Sequence, residues 1–343
     1  KTFTGSHRYV LDYLIEEVLE QQPEHIQEFL LQTAVLDRLT SSLCNTLTDQ
    51  ENGQATLEFL EQTNLFIVPL DERRHWYRYH HLFADLLRQR LGQQKPDLAP
   101  LLQIRASEWY EQHGFAGEAI AYALRAGDFE RAARLIDNEA EAVWERGTHT
   151  KLRRWVAKLP AELACTKPRL CIIHAENLLL SGRQDEAEQS LQIAEQSLTH
   201  GSDQTAESER VQLLGSIAAT RALLAFYSGD VPGIFQHSRQ ALDFLPGQDT
   251  AWRGSAMGAI GDAHIITGDL AAAQQIQSEE VAANRAAGNI YMTLSSGTKL
   301  AITLRHRGRL EQAVESCRQL LQLADENGLS QSAAAGWLWA VWG

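Results

Sequence analysis

Gly268-Asp269-Leu270-Ala271-Ala272-Ala273 and, forty residues on, Gly308-Arg309-Leu310-Glu311-Gln312-Ala313 each place a glycine five residues before an alanine, between two runs of helical periodicity. The same spacing occurs at Gly114/Ala119, Gly127/Ala132 and Gly182/Ala187. Glycine ends a helix in a left-handed conformation without a Cβ penalty, and alanine lets the next helix pack closely. Repetition of that hairpin predicts a tetratricopeptide-like α-solenoid over residues 96–343, its helical repeats starting near Leu101. The glycine intervals are irregular at first and then settle through 47 and 39 to 40 residues at Gly229, Gly268 and Gly308. At Gly229 the alanine position holds Ile234, which predicts a local distortion.

The first 95 residues do not carry the repeat. Val10, Leu11, Leu14, Ile15, Val18 and Leu19 follow helical spacing, and Pro23 precedes a second such run over Ile26–Val35. Thr40-Ser41-Ser42 offers capping hydroxyls for a short helix through Leu47, and Gly53 precedes another at Ala55–Gln62. The period then changes. Leu65-Phe66-Ile67-Val68 and Trp76-Tyr77-Arg78-Tyr79 read as strands around a polar Asp71-Glu72-Arg73-Arg74 tip, so a β-hairpin falls at about 65–79. A helix over His81–Leu91 closes the unit before Gln93-Gln94-Lys95-Pro96. Short helices, a two-stranded wing and a closing helix make residues 1–95 a helical, winged-helix domain. The whole is mainly α, a winged helix followed by a tetratricopeptide-like solenoid.

With 343 residues and 44% hydrophobic composition the chain supports two or more cored domains. A net charge of −13, with two acids beside two arginines at the wing tip, argues for packing or regulation rather than DNA binding by these residues. Cys44, Cys165, Cys171 and Cys317 form no CxxC pair, the usage expected of a reducing compartment, and the chain reads as cytoplasmic. The most apolar stretch, Leu213–Tyr227, carries Arg221, so no membrane span is expected. The chain opens on Lys1 and stops in Trp337-Leu338-Trp339-Ala340-Val341-Trp342, which reads as mid-helix. A segment of a longer protein is therefore expected.

Chemistry is hard to find. There is no HExxH, GxSxG, CxxC or phosphate loop, and the dipeptide Gly-Lys does not occur, so no enzyme and no cofactor are expected within these residues. His80-His81 cannot form a metal site alone, because neighbours on a helix point about 100° apart. Trp252 and Tyr291, on first helices of successive hairpins, are candidates for a concave ligand groove with Arg221, His264 and Lys299. Inter-repeat core is the competing reading of the aromatics.

Three stretches carry a family resemblance: Phe3-Thr4-Gly5-Ser6-His7-Arg8-Tyr9-Val10-Leu11-Asp12-Tyr13-Leu14, Phe29-Leu30-Leu31-Gln32-Thr33-Ala34-Val35-Leu36-Asp37-Arg38-Leu39, and Tyr77-Arg78-Tyr79-His80-His81-Leu82-Phe83-Ala84-Asp85-Leu86-Leu87. With the repeats behind them, they resemble the large ATP-binding LuxR-type transcription regulators. That family joins a nucleotide-binding module, a winged helix, a tetratricopeptide-like sensor and a DNA-binding helix-turn-helix. The resemblance implies that this chain holds the middle two parts. It further implies ATP or ADP in the longer parent, an inducer that is a small molecule or a protein, self-association on activation, and DNA contact only through the C-terminal part. In the wider class a histidine within a Met-His-Asp-like triplet contacts the β-phosphate of ADP. Tyr79-His80-His81 matches that triplet, with His81 in place of the acid, so the resemblance gives this role to His80. The rival reading is a scaffold whose solenoid docks a peptide or regulatory protein.

Overall fold

The computed structural model describes residues 19–145, 149–200, 206–245, 247 and 250–342. The helix expected from Val10 lies, up to residue 18, outside the described residues. The chain divides into two compact units, Lys1–Leu135 and Ile136–Gly343.

In the first unit Pro23 precedes α1 (Glu24–Thr33), which buries Ile26, Phe29 and Leu30. Next come α2 (Ser41–Thr48) and α3 (Gly53–Gln62). The expected hydroxyl cap is not used: Thr40 holds the N-cap position of α2 with extended backbone, and its side chain makes no capping bond. The wing is an antiparallel pair, β1 (Ile67–Pro69) and β2 (Tyr77–Tyr79), with Ile67 opposite Tyr79 and Pro69 opposite Tyr77. Leu39 adds a third rung by exchanging both backbone hydrogen bonds with Tyr77, at 2.8 and 2.9 Å. At the tip the Asp71 carboxylate accepts from the backbone N–H of His75 and Trp76, which closes the turn. The closing helix α4 (His81–Gln94) runs three residues beyond the expected end, Leu91, and buries Phe83 and Leu87.

The first glycine hairpin packs inside this unit. It comprises α5 (Leu98–Gln112) and α6 (Ala116–Ala126), with Gly114 in the left-handed region at φ 78°. Ser107 donates to the Ala119 carbonyl across the pair at 2.7 Å, a close approach that small side chains permit. The Asp37 backbone N–H donates to the Tyr122 hydroxyl at 2.8 Å, and the Asp37 carboxylate pairs with Arg125. The compact unit therefore extends past the Gln93–Pro96 linker, and its division from the second falls within α7 (Phe129–Glu145).

In the second unit α8 (His149–Val156), α9 (Ala161–Ala164) and α10 (Pro168–Leu180) lead into α11 (Gln184–His200). The repeats continue through α12 (Glu207–Ser228), α13 (Val231–Phe244), α14 (Thr250–Ile266) and α15 (Leu270–Ala286). They end with α16 (Ile290–His306), α17 (Leu310–Glu326) and α18 (Ala333–Trp342). Left-handed glycines stand at 268, 288, 308 and 328, so the element that recurs is one helix and one turn every twenty residues. Three turns share one device: Asp230, Asp269 and Asn289 follow the glycine and accept from a backbone N–H of the next helix at 3.0–3.1 Å.

The distortion expected at Ile234 does not occur. Gly229 has φ 75°, like its counterparts, and α13 starts in register. Ile234 is buried against Ala222, Ala225, Ala259 and Ala263, so small partners make room for the larger side chain. The cysteine reading also needs correction. Cys165 and Cys171 form a disulfide, so cysteine usage gives no support for a reducing compartment. By length and hydropathy α12 is apolar enough to cross a membrane, with half of its apolar window buried. Its apolar residues serve three core clusters of the repeat stack, which accounts for its composition.

Candidate functional site

Lys151-Leu152-Arg153-Arg154-Trp155-Val156-Ala157-Lys158 forms α8 and the turn after it. The helix buries Leu152, Trp155 and Val156, so helical periodicity sends Lys151, Arg154 and Lys158 to the opposite, exposed face. Lys151 Nζ lies 4.8 Å from the centre of the Trp155 ring, a cation–π contact. Asn177 donates to the Arg153 carbonyl at 3.0 Å and ties the helix to α10.

This face forms one wall of a cleft of about 880 Å³. The other wall is built from the turns at Gly288 and Gly328 and the first residues of α16 and α18. Asn289, Tyr291, Asn327 and Ser332 are its polar side chains. The Asn289 side-chain oxygen accepts from Met292 N–H, so its amide N–H₂ is the group left to donate. Ser332 Oγ accepts from Ala335 N–H at 3.3 Å, so its hydroxyl proton remains available. Three cations and no carboxylate line the cleft. Among the described residues none of the three cations is in a salt bridge.

Of the five groove candidates, only Tyr291 lines this cleft. Arg221 is half-buried on α12 between Glu188 and Glu195, at 3.0 and 2.8 Å. Lys299 pairs with Asp262 at 2.7 Å. His264 lies edge-on to Phe235 with its Nδ1 3.9 Å from Asp269. Trp252 packs against two apolar clusters, as the core reading had it. Of the helices that carry the five candidates, α12, α14 and α16, only α16 contributes to the cleft.

Lys299 and Asp262 also border a polar core. Gln277, Glu280 and Asn284 share one buried face of α15, against Gly254, Gly258 and Gly261 of α14. A Cβ at Gly258 would stand 3.1 Å from Lys299 Nζ. Burial pushes the Glu280 carboxyl up to about 7; Lys299 opposes the shift and Asp262 adds to it.

His80 occupies the N-cap position of α4, and its side chain makes no capping bond. Its backbone N–H donates to the Phe66 carbonyl at 2.7 Å and its carbonyl accepts from Ala84. The ring is exposed beside His81, with centroids 4.4 Å apart. Phe66 itself is left-handed at φ 53°, an unfavourable conformation for a bulky residue, so the anchor of His80 is a strained one.

Lys151, Arg154 and Lys158 were not singled out by sequence reading. Their signal is present: an eight-residue stretch without an acid in an acidic chain, with cations three and four apart.

The fold defines a class, a winged helix followed by a tetratricopeptide-like helical-repeat solenoid. Residues 15–99 match the family profile described as MalT winged helix domain, and residues 215–343 match that of the MalT-like TPR region. The HTH-type transcriptional regulator MalT of Cronobacter sakazakii is 29% identical over 323 residues, covering 94% of this chain and 35% of that protein. MalT of Serratia proteamaculans is 30% identical over 325 residues, with the same coverage. A signal-transduction ATPase with a tetratricopeptide repeat sensor from Pyrococcus horikoshii is similar at a TM-score of 0.46 and 14% identity, over 98% of this chain and 56% of that one. The chain is MalT-like: it carries the winged-helix domain and the TPR-like region of those transcription regulators, and spans about a third of the length of the curated relatives it matches.

Proposed function

We propose that these residues are the central regulatory and sensor part of an ATP-dependent LuxR-type transcription activator, in which inducer binding to the solenoid controls nucleotide state and self-association. The observation that carries this reading is the cleft of about 880 Å³ in the second unit, a volume suited to a small molecule. The relatives' name, transcriptional regulator, supports the gene-regulatory setting. In this reading the chain is not itself an enzyme. ATP or ADP is held by the nucleotide-binding part of the longer protein, DNA by its C-terminal part, and the regulator works in the cytoplasm.

His80 is the proposed contact to the β-phosphate of ADP. It stands exposed at a helix N-terminus, where backbone N–H groups and the helix dipole favour an anion. An inducer shifts the resting state only through differential affinity for two conformations, and a few kcal/mol suffice. In the longer protein His80→Ala raises basal transcription and loosens ADP retention; unchanged values of both count against the role.

The sensor reading is tested by the melting temperature of this chain against a wide panel of metabolites and oligosaccharides, with ADP and ATP as expected non-binders. A rise with one compound supports it, because a ligand bound only to the folded state stabilises it. A second reading, a scaffold for a protein partner, draws on the exposed, stacked Trp339 and Trp342 of α18. It predicts no small-molecule response and co-purification of one stoichiometric partner.

A further inference from the structure

We propose that the cleft between α8 and the turns at Gly288 and Gly328 binds a phosphorylated sugar, its phosphate met by Lys151, Arg154 and Lys158 and its ring set against Tyr291. This rests on the sensor reading and names the chemical class of the inducer.

Charge is the first argument. The chain has 44 acids and 31 bases, yet the cleft lining holds three cations and no acid. Lys151 and Arg154 are three residues apart on α8, a spacing at which like charges on a helix repel, and Lys158 follows in the turn after it. Several other cations of the second unit are neutralised by an acid three residues away: Arg183 by Glu186, Arg210 by Glu207 and Arg318 by Glu315. The three cleft cations have no such partner among the described residues, so the fold leaves positive potential facing the cleft. The N-terminal ends of α16 and α18 on the far wall add to it.

Side-chain chemistry supplies the rest. Tyr291 and Leu329 offer surface for the face of a ring, while Asn289, Ser332 and Thr150 offer the amide and hydroxyl groups that hydroxyls need. A neutral oligosaccharide leaves three cations without a counter-charge. An inorganic anion leaves the ring surface and the amides unused. A nucleic acid requires a basic stripe continuing over the surface, which a chain of net charge −13 does not favour.

The test measures dissociation constants and melting temperatures of this chain with a panel of hexose and pentose phosphates, their parent sugars and inorganic phosphate. Each is repeated with the triple variant K151Q/R154Q/K158Q. The three cations are exposed, so the variant keeps its fold, checked by an unchanged circular dichroism spectrum and an unliganded melting temperature no lower than the parent's. A sugar phosphate is expected to raise the melting temperature where its parent sugar does not, and to bind less tightly as salt rises. The triple variant is expected to weaken binding by roughly 1,000-fold, about tenfold for each of the three charged contacts. Equal binding by a neutral sugar, or by inorganic phosphate alone, overturns the proposal. So does sugar-phosphate binding that the triple variant leaves intact, or no response from any sugar phosphate. None of these touches the sensor reading, which stands or falls on the wider metabolite panel.

Discussion

Left-handed backbone is handled in opposite ways in the two units. In the second, each left-handed residue among those described is a glycine: 182, 229, 268, 288, 308 and 328. In the first, Asp49, Asn64, Phe66 and Arg74 also adopt φ between 53° and 56°. Asp and Asn tolerate that region through local hydrogen bonds, whereas Phe66 and Arg74 hold it at a cost of about 1–2 kcal/mol each. A repeat reuses one inexpensive turn. A wing aims particular groups, and the surrounding core must hold its turns in place.

That contrast predicts a core dependence that is largest in the first unit. Phe83 is fully buried and meets Phe66 and Tyr79 at ring-centroid distances of 5.5 and 6.0 Å. Phe83→Ala is expected to cost about 3–5 kcal/mol. Hydrogen exchange then shows lost protection across the wing and little change beyond α10; uniform loss over both units breaks the comparison.

Next in size is the polar core at Glu280. Its folded pKa of about 7 lies above the ordinary glutamate value of 4.5, so between these values the native state binds more protons than the unfolded one. Stability of the second unit therefore falls as pH rises from about 4.5 to 7, by up to roughly 3 kcal/mol from this group. Lys299 and Asp262, paired with each other at 2.7 Å, face the same carboxyl. Glu280→Gln removes the slope attributable to Glu280; parallel denaturation curves for the variant and the parent would refute the assignment.

The smallest effects have opposite signs. Gly308→Ala puts a Cβ at φ 73° and is expected to cost the second unit about 1 kcal/mol. Arg74→Gly relieves φ 56° and gives up an ion pair with Glu61 whose arginine is 63% exposed. It is expected to stabilise the first unit by about 0.5 kcal/mol, since such pairs contribute little. Urea midpoints that move in the same direction for both variants would end the distinction.

Legibility followed the same line. The repeats could be read because glycine at a helix end is a chemical necessity that recurs. Even so, Gly288 escaped notice because Thr293 rather than alanine stands five residues on. The wing was found from β-branched and aromatic runs, but no residue announces that Phe66 is left-handed or that it holds His80. Ile234 misled because an outsized side chain tells nothing of the small alanines facing it from other helices. The groove candidates were chosen by element, and Arg221 and Lys299 met carboxylates 33 and 37 residues away in sequence, pairings that no local pattern encodes. The three cleft cations were legible as an acid-free helical face; their convergence with the turns at Gly288 and Gly328 was not.

The walls of the cleft belong to distant parts of the second unit, α8 near its start and α16 to α18 at its end. Its width is thus the accumulated pitch of every turn between Lys158 and Gly288, as the gap in a spring washer is set by the whole ring. A molecule wedged between those walls would gauge the whole stack at once, and under the proposed sensor function its signal would be read mechanically, as how tightly the stack is wound.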